Sequence, residues 1–245
     1  MIKGQLTLIP TPIDELGQLE QVAHALLLDR ATNYSEQSVF VIEDLKPGRR
    51  RWLHWKLPRD TVDSFVLYNE HTAAVASEDL LNSLKQGRNV YLMSDGGLPA
   101  FCDPGIELVN RCHQHGIKVT STPFANSISL ALALSGLDHR RFVFEGFLPL
   151  KVEERQLALQ NILNQSTTAV LMDTPYRFKK LLEEINSVLK QFGRERQVFV
   201  AMDLNRESEE LLRGTAEELL KKIRDFKREF ILIVGIGTHQ RGRNG

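Results

Sequence analysis

Short apolar runs alternate with longer segments of helical periodicity along the whole chain. The apolar runs are rich in β-branched residues and have the length of buried strands, whereas the intervening segments repeat their apolar positions every three or four residues. This alternation predicts an α/β fold, in which mixed or parallel sheets are flanked by helices.

The pattern also predicts where each element lies. Strands are predicted at residues 6–9, 39–42, 90–93, 118–121, 142–145, 169–173, 197–202 and 230–234. Helices are predicted at residues 19–28, 76–86, 106–115, 127–134, 152–163, 176–189 and 216–226. A further short strand at 210–213 precedes Gly214 and predicts a hairpin with an antiparallel element.

A polar segment interrupts the pattern near the middle of the chain, where residues 135–141 read Ser-Gly-Leu-Asp-His-Arg-Arg. We therefore expect two α/β domains, an N-terminal domain over residues 1–125 and a C-terminal domain with a mixed sheet over residues 126–245. No repeat of fixed period is visible. Only the tail at 241–245, Arg-Gly-Arg-Asn-Gly, has the composition of a disordered end.

Composition narrows the class of protein. The 245 residues are 42% hydrophobic and 25% charged, which is typical of a globular protein and excludes a disordered chain or a disulfide-stapled mini-protein. No apolar run approaches the roughly 18 residues that cross a bilayer. Pro10 and Pro12 interrupt the apolar start, so no signal peptide is expected. Because Cys102 and Cys112 form no CxxC motif, we expect a cytoplasmic, reducing compartment.

Positive charge is concentrated in one segment, although the chain as a whole balances 31 basic against 31 acidic residues. Residues 46–59 read KPGRRRWLHWKLPR and include no acid. The cations Arg49, Arg50, Arg51 and Lys56 suit RNA phosphates, and the rings of Trp52, His54 and Trp55 suit base stacking. A solvated loop whose tryptophans pack in a dimer interface is the alternative.

The segment most suggestive of ligand binding is the loop at 94–105, SDGGLPAFCDPG, which follows a predicted strand. Loops at the carboxyl ends of strands bind ligands in α/β sheets. Glycines allow a close approach of the backbone, and prolines stiffen the loop. Asp103 is expected to cap the next helix, with Pro104 at its first position. A structural turn that only caps a helix is the alternative.

Neither GxGxxG nor GxxxxGK[ST] is present, which disfavours a dehydrogenase or a phosphate-loop NTPase.

This loop resembles the signature SDAGTPxxSDPG of the tetrapyrrole methylase family, in its branch that methylates a cytidine 2′-hydroxyl of 16S ribosomal RNA. The matching residues are Ser94, Asp95, Gly97, Pro99, Asp103, Pro104 and Gly105. The resemblance continues in the same order along the chain. Residues 11–13 (TPI) are similar to TPIGN, 144–149 (FEGFLP) are identical to a block of that branch, 174–177 (TPYR) are similar to APHR, and 202–215 (MDLNRESEELLRGT) resemble RELTKxHEExxRGT.

The resemblance implies two α/β domains with S-adenosylmethionine in the cleft between them, and it implies a homodimer. The cofactor contacts it implies are Pro10, Ser94, Asp95, Gly96, Gly97, Leu98 and Phe101 in the first domain, and Ser127, Ile128, Met172 and Leu204 in the second. From the residues alone, Ser127 is equally a helix N-cap, and Met172 and Leu204 are equally core residues.

The chain departs from the family pattern at residues 14–18 (DELGQ for GNLGD), at 42–50 (IEDLKPGRR for AEDTR) and from Phe124 (FANSI for PGPSA). These departures bear on the methyl acceptor. The leading hypothesis is a methyltransferase acting on a ribose 2′-hydroxyl of 16S ribosomal RNA. The alternatives are a tetrapyrrole or another small molecule as acceptor, and a non-catalytic cofactor-binding protein.

No catalytic residue is assigned from the sequence. Asp103, Glu145 and Asp173 lie near predicted strand ends and are candidates for a proton acceptor. No metal is expected, because Cys-His-Gln-His at 112–115 lies at a predicted helix end, where histidines interact favourably with the helix dipole.

Overall fold

The computed structural model describes residues 2–101, 103–124 and 126–236. The chain forms two compact units that divide between Asn126 and Ser127. Each unit contains one five-stranded sheet with helices against it, so the predicted α/β fold class is confirmed. The tail at 241–245 lies outside the described residues.

The sheet of unit 1 is entirely parallel, in the order β3-β2-β4-β1-β5. Its strands are β1 (Gln5–Ile9), β2 (Ser38–Ile42), β3 (Val66–Leu67), β4 (Asn89–Met93) and β5 (Lys118–Ser121). Because all strands run the same way, the loops that follow them leave from one edge of the sheet.

Helices cover both faces of this sheet. They are α1 (Gln21–Asn33), α2 (Leu45–His54), α3 (Ala73–Lys85) and α4 (Ile106–Gln114). The residues of β2 alternate between the two layers: Val39 and Val41 join the core under α3 and α4, whereas Phe40 and Ile42 join the core under α1 and α2. This alternation follows from the two-residue period of a strand, and it buries the whole of β2.

The sheet of unit 2 is mixed, in the order β6-β7-β10-β8-β9. The elements of this unit are α5 (Ser127–Ser135), β6 (Phe142–Phe147), α6 (Val152–Asn164), β7 (Thr168–Met172), α7 (Phe178–Gln191), β8 (Val198–Met202), β9 (Glu210–Gly214), α8 (Ala216–Lys222) and β10 (Phe230–Val234). β10 pairs antiparallel with both β7 and β8, and β9 pairs antiparallel with β8. The predicted hairpin element is therefore confirmed.

Two apolar layers also sandwich the second sheet. Helices α6, α7 and α8 pack on one face, and α5 packs on the other. A buried arginine closes one end of this unit: Arg196 is 2% exposed and donates to the carbonyl oxygens of Gly235 (2.5 Å), Thr167 (2.7 Å) and Leu163 (3.2 Å). Main-chain acceptors thus satisfy a charge that would otherwise be costly to bury.

The structure corrects two local expectations. Residues 45–54, interpreted as part of a basic loop, form α2. Asp103 is not the N-cap of α4, because the helix begins one residue after Gly105, whose φ of 135° only glycine readily adopts. Among the described residues the longest helix, α7, has 14 residues, so none of these helices could span a bilayer.

Candidate functional site

Three loops meet at the carboxyl edge of the unit 1 sheet. They follow β1, β2 and β4, which are neighbours in the strand order. The loop after β4, residues 94–105, is the glycine-rich and proline-rich segment that the sequence singles out. Parallel pairing therefore brings the predicted residues of this unit to one place.

An isolated bridge joins the loop after β1 to the loop after β4. Thr11 and Gly97 exchange two backbone hydrogen bonds, of 2.8 and 2.9 Å, and the Thr11 hydroxyl donates to the carbonyl oxygen of Ser94 at 2.9 Å. Thr11 is 2% exposed, so these bonds are shielded from water. They hold Pro10, Ser94 and Gly97 in one arrangement.

Gly97 leaves open space where a ligand can approach the backbone. Its φ is 103°, and a Cβ added there would meet nothing within 4 Å. Gly96 is tighter, since a Cβ there would lie 3.4 Å from the Cα of Ile13. The apolar side chains of this loop are partly exposed: Leu98 is half-buried and Phe101 is 39% exposed.

Carboxylates surround this edge. The backbone N–H of Asp95 donates to the Glu43 carboxylate at 3.1 Å, which links the loop after β4 to the loop after β2. Burial raises the pKa of the Asp95 carboxyl to about 6, and the charges of Glu43 and Asp44 add to the rise. Burial, together with the charge of Glu43, likewise raises the pKa of Asp103 to about 6.

Unit 2 brings three of the predicted cofactor residues to one apolar cluster. Ile128 on α5 is 7% exposed and belongs to the core between α5 and the sheet. Met172, the last residue of β7, and Leu204, just after β8, pack against the same cluster while remaining partly accessible. Ser127 is the first residue of α5 and is half-buried.

The two remaining candidates for a proton acceptor, Asp173 and Glu145, lie in unit 2. Asp173 accepts from Arg155 at 2.8 Å, and Arg155 also binds Glu184 at 2.7 Å, with both members of the first pair buried. Glu145 is the extra residue of a bulge between Phe144 and Gly146 in the β6–β7 ladder. A buried and paired carboxylate such as Asp173 is poorly suited to accept a proton from a substrate.

The basic segment does not present its tryptophans to a ligand. Trp52 is 1% exposed and Trp55 is 4% exposed, and their indole N–H groups donate to the carbonyl oxygens of Pro58 (2.8 Å) and Gly17 (3.0 Å). They cannot stack on bases, and they cannot line a dimer interface. The prediction for both residues was therefore wrong, because Trp52 on α2 and Trp55, the residue that caps the C-terminus of α2, both lie in the core.

The cations of this segment differ in burial and in pairing, and therefore in whether they can reach a phosphate. Arg51 is 5% exposed and donates to the carbonyl oxygen of Pro12 at 2.7 Å, so it supports the loop after β1 and is unavailable to phosphates. Arg49 pairs with Asp63, and Arg50 pairs with Glu15. Lys56 is exposed, with a φ of 57°.

Sequence reasoning missed Thr11, Glu43 and Arg51 as the residues that fix these loops. Thr11 lies inside the segment 11–13 that is similar to a family motif, which was the available signal, whereas Glu43 lies in the segment 42–50 that departs from the family pattern. The described residues contain no group of three or more His, Cys, Asp or Glu side chains placed to hold a metal ion. Within 112–115, Cys112 is buried, and burial raises the pKa of its thiol to about 11.

The comparisons with known proteins agree with this architecture. Residues 59–220 match the family of Tetrapyrrole (Corrin/Porphyrin) Methylases. The chain is 34% identical over 234 residues to a Ribosomal RNA small subunit methyltransferase I of Halalkalibacterium halodurans, covering 95% of this chain and 76% of that protein. It is 33% identical over 239 residues to the protein of the same name from Synechocystis sp., covering 96% of this chain and 80% of the relative.

A solved structure shares the fold at low identity. It is the uroporphyrin-III C-methyltransferase of Thermus thermophilus in complex with S-adenosylhomocysteine, with a TM-score of 0.54 and 19% identity, covering 95% of this chain and 97% of the other. The family match and the named relatives, together with the two-unit α/β fold, identify an S-adenosylmethionine-dependent methyltransferase. The chain belongs to the tetrapyrrole methylase family, which confirms the resemblance found in the sequence.

Proposed function

We propose that this protein transfers a methyl group from S-adenosylmethionine to a ribose 2′-hydroxyl of 16S ribosomal RNA. The observation that carries the proposal is the identity of 34% and 33%, over nearly the whole chain, to two proteins named Ribosomal RNA small subunit methyltransferase I. Because small ribosomal subunits reside in the cytoplasm, the proposal also implies a cytoplasmic protein.

The proposed cofactor contacts in unit 1 are Pro10, Ser94, Asp95, Gly96, Gly97, Leu98 and Phe101. Those in unit 2 are Ser127, Ile128, Met172 and Leu204. The open space at Gly97 supports the unit 1 contacts, since it lets a bound nucleoside approach the backbone. The accessible side chains of Met172 and Leu204, both beside one apolar cluster, support the unit 2 contacts.

When bound, S-adenosylmethionine supplies an activated methyl group, so the chain's own residues mainly orient the reactants and exclude water. The loop held by Thr11 and Glu43 provides the rigid surface, and Leu98 and Phe101 provide apolar area. The acceptor hydroxyl must also lose a proton. Asp95 and Asp103, with pKa values raised to about 6, are ionised at neutral pH and suited to accept it.

A tetrapyrrole acceptor is the second candidate, and it is favoured by the fold shared with a uroporphyrin-III methyltransferase. The electrostatics of the sheet edge disfavour it. Glu43 contributes to the raised pKa of both Asp95 and Asp103, and this crowding of carboxylates repels a substrate that itself carries many carboxylates. In RNA the accepting hydroxyl is neutral, and the phosphates on either side of its ribose must be held by cations away from this edge.

Two measurements test the proposal. Calorimetric titration with S-adenosylmethionine distinguishes a methyltransferase from a chain that has lost its cofactor, since absence of binding would remove both acceptor hypotheses. Incubation with labelled S-adenosylmethionine and either unmethylated small ribosomal subunits or porphyrinogens then identifies the acceptor. Label in the ribosomal RNA is expected, and label only in the porphyrinogen would overturn the proposal.

We also propose a homodimer. The edge strand β6 and the segment after it leave large apolar side chains exposed, among them Phe142 (46%), Phe147 (56%) and Leu150 (73%). Exposed apolar area beside a sheet edge is suited to a subunit interface. Sedimentation equilibrium is expected to give twice the chain mass, and a monomer at all concentrations would exclude the dimer.

A further inference from the structure

A polar groove of about 610 Å³ opens at one edge of the unit 2 sheet. β7 and β8 run in the same direction, because both pair antiparallel with β10, and their carboxyl ends therefore lie at this edge. The groove is lined by residues that follow these two strands, such as Pro175 and Arg206, and by residues that precede β10, such as Lys227.

The wall of the groove is held rigidly by one arginine. Arg228, whose side chain is 14% exposed, binds the carboxylates of Asp203 (2.8 Å) and Glu210 (2.5 Å) and donates to the carbonyl oxygen of Ser208. The loop it fixes contains two non-glycine residues in the left-handed region, Asp203 with φ 49° and Asn205 with φ 61°. Backbone strain of this kind persists where the surroundings enforce it and is concentrated at functional sites.

The charges that line the groove cancel. Asp203, Asp225 and Glu229 oppose Arg206, Lys227 and Arg228. A groove without net charge does not attract a polyanion along its whole length. It suits a neutral polar group such as a base with its ribose, provided that cations at the rim hold the adjoining phosphate.

The rim next to the groove provides an aromatic ring beside a cation. Residues Pro175–Arg177 form one 3₁₀ turn, in which Pro175 lines the groove. Tyr176, the next residue, is 86% exposed. The side chain of Arg177 is 36% exposed, and one of its guanidinium nitrogens lies 4.0 Å from the buried carboxylate of Asp173, which leaves the exposed part of the guanidinium to meet a phosphate. An exposed ring next to a guanidinium is the pairing that binds single-stranded nucleic acid, by base stacking and by contact with phosphate.

We infer that this groove and its rim bind a single-stranded segment of the acceptor RNA, with one base stacked on Tyr176 and an adjoining phosphate on Arg177. The inference rests on the proposed RNA acceptor and adds the surface that holds it. The burial of Trp52 and Trp55 strengthens this inference, because the aromatic surface predicted from the sequence of unit 1 is not accessible to RNA.

The test compares substitutions of the exposed ring. In Tyr176→Ala, KM for unmethylated small ribosomal subunits is expected to rise about tenfold, because stacking of a base is lost, whereas Tyr176→Phe keeps the ring and stays within about twofold. The Kd for S-adenosylmethionine, measured by calorimetry, is expected to be unchanged in both. Tyr34→Ala, at a tyrosine in unit 1 that is 41% exposed, is the matched control and should behave as wild type.

The phosphate contact has its own readout. Arg177→Gln is expected to lower the slope of log Kd against log salt by about one for an oligoribonucleotide, since one phosphate contact is lost. Arg140→Gln, at a site with a side chain 89% exposed, should leave that slope unchanged. A wild-type KM in Tyr176→Ala together with a wild-type slope in Arg177→Gln would overturn the inference while leaving the RNA acceptor intact. Failure of the wild-type protein to methylate or bind RNA would overturn both.

Discussion

Glu43 performs two tasks at the edge of the unit 1 sheet. Its carboxylate accepts the backbone N–H of Asp95, which fixes the start of the loop after β4. Its charge also contributes to the raised pKa of Asp95 and of Asp103. One side chain thus fixes part of the geometry of this edge and adds to the effect of burial on its protonation.

Two substitutions separate these tasks. Glu43→Gln keeps an oxygen acceptor for the Asp95 N–H but removes the charge, so cofactor affinity should stay within about threefold of wild type while the acidic limb of the pH–rate profile moves to lower pH. Glu43→Ala loses the acceptor as well and should weaken cofactor binding by about tenfold or more. Calorimetry and pH–rate profiles check both, and an unmoved acidic limb in Glu43→Gln would contradict the electrostatic role.

Asp95 is charged at neutral pH at a cost to the fold. The pKa of Asp95 in the folded chain is about 6, above its ordinary value of 3.8. Protonated Asp95 therefore favours the folded chain fully below pH 3.8, and this contribution to the free energy of unfolding is lost as the pH rises through 6. Asp95→Asn should therefore raise the melting temperature at neutral pH by about 2–4 °C, a figure discounted for the solvent screening of its exposed half.

The same substitution should have little effect near about pH 4, where Asp95 is already protonated in the folded chain. Asp79→Asn, at an exposed site on α3, is the control and should not change the melting temperature at either pH. An equal gain from Asp95→Asn at both pH values would show that charge is not the cause.

At the scale of elements, α2 shows where sequence reasoning fails. Pro47, Gly48 and three consecutive arginines are typical of a loop, yet residues 45–54 form a helix. Gly48 is required there because a Cβ would lie 2.7 Å from the side chain of Ile42. Only the tertiary structure brings α2 this close to β2, so local propensity could not reveal the helix.

Helix α2 should therefore contribute to stability through its buried ring. Trp52→Ala is expected to lower the free energy of unfolding by about 3–5 kcal/mol, because a fully buried indole is removed from the core. Leu53→Ala on the same helix, at a residue 42% exposed, should cost less than about 1 kcal/mol. Urea denaturation measures both, and similar costs would contradict the burial of Trp52.

Elements with a marked apolar pattern could be predicted from the sequence. A very short strand, and a helix start that depends on backbone conformation, could not. The strand at 230–234 and the helix at 152–163 agree with β10 and α6 to within one residue, because residues 230–234 form a continuous apolar run and residues 157–163 repeat apolar positions at helical spacing. β3 has only two residues and carries no periodic pattern of its own. The N-cap prediction at Asp103 failed because a positive φ at Gly105 starts the helix later.

At the scale of the whole molecule, each unit has its own apolar cores. Leu182 lies in the core of unit 2 and Leu84 in that of unit 1, and both are 0% exposed. Replacing either by alanine should cost about 2–5 kcal/mol. In the full-length protein, Leu182→Ala should accelerate amide exchange mainly in the strands of unit 2, and Leu84→Ala mainly in those of unit 1.

Hydrogen exchange followed by mass spectrometry checks this prediction, with Leu134→Ala, at a residue 43% exposed on α5, as the control that should change neither unit. Acceleration of both units to the same extent by either core substitution would show that the chain unfolds as one cooperative body.

Part of the candidate site could be predicted from the sequence, and part of it could not. The loop at 94–105 was predictable, because a glycine-rich and proline-rich segment directly after a strand has few structural explanations. Glu43 and Thr11 were not, since their roles depend on contacts with residues 52 and 86 positions away in the chain. Only the parallel order of β2, β4 and β1 makes those contacts.

The bridge between Thr11 and Gly97 has a kinetic consequence. Because these hydrogen bonds lie within the chain and involve no ligand atom, the entropy cost of ordering the two loops belongs to folding and not to association. Capture at this face should then proceed in a single phase whose rate rises linearly with nucleoside concentration, without a slow rearrangement step.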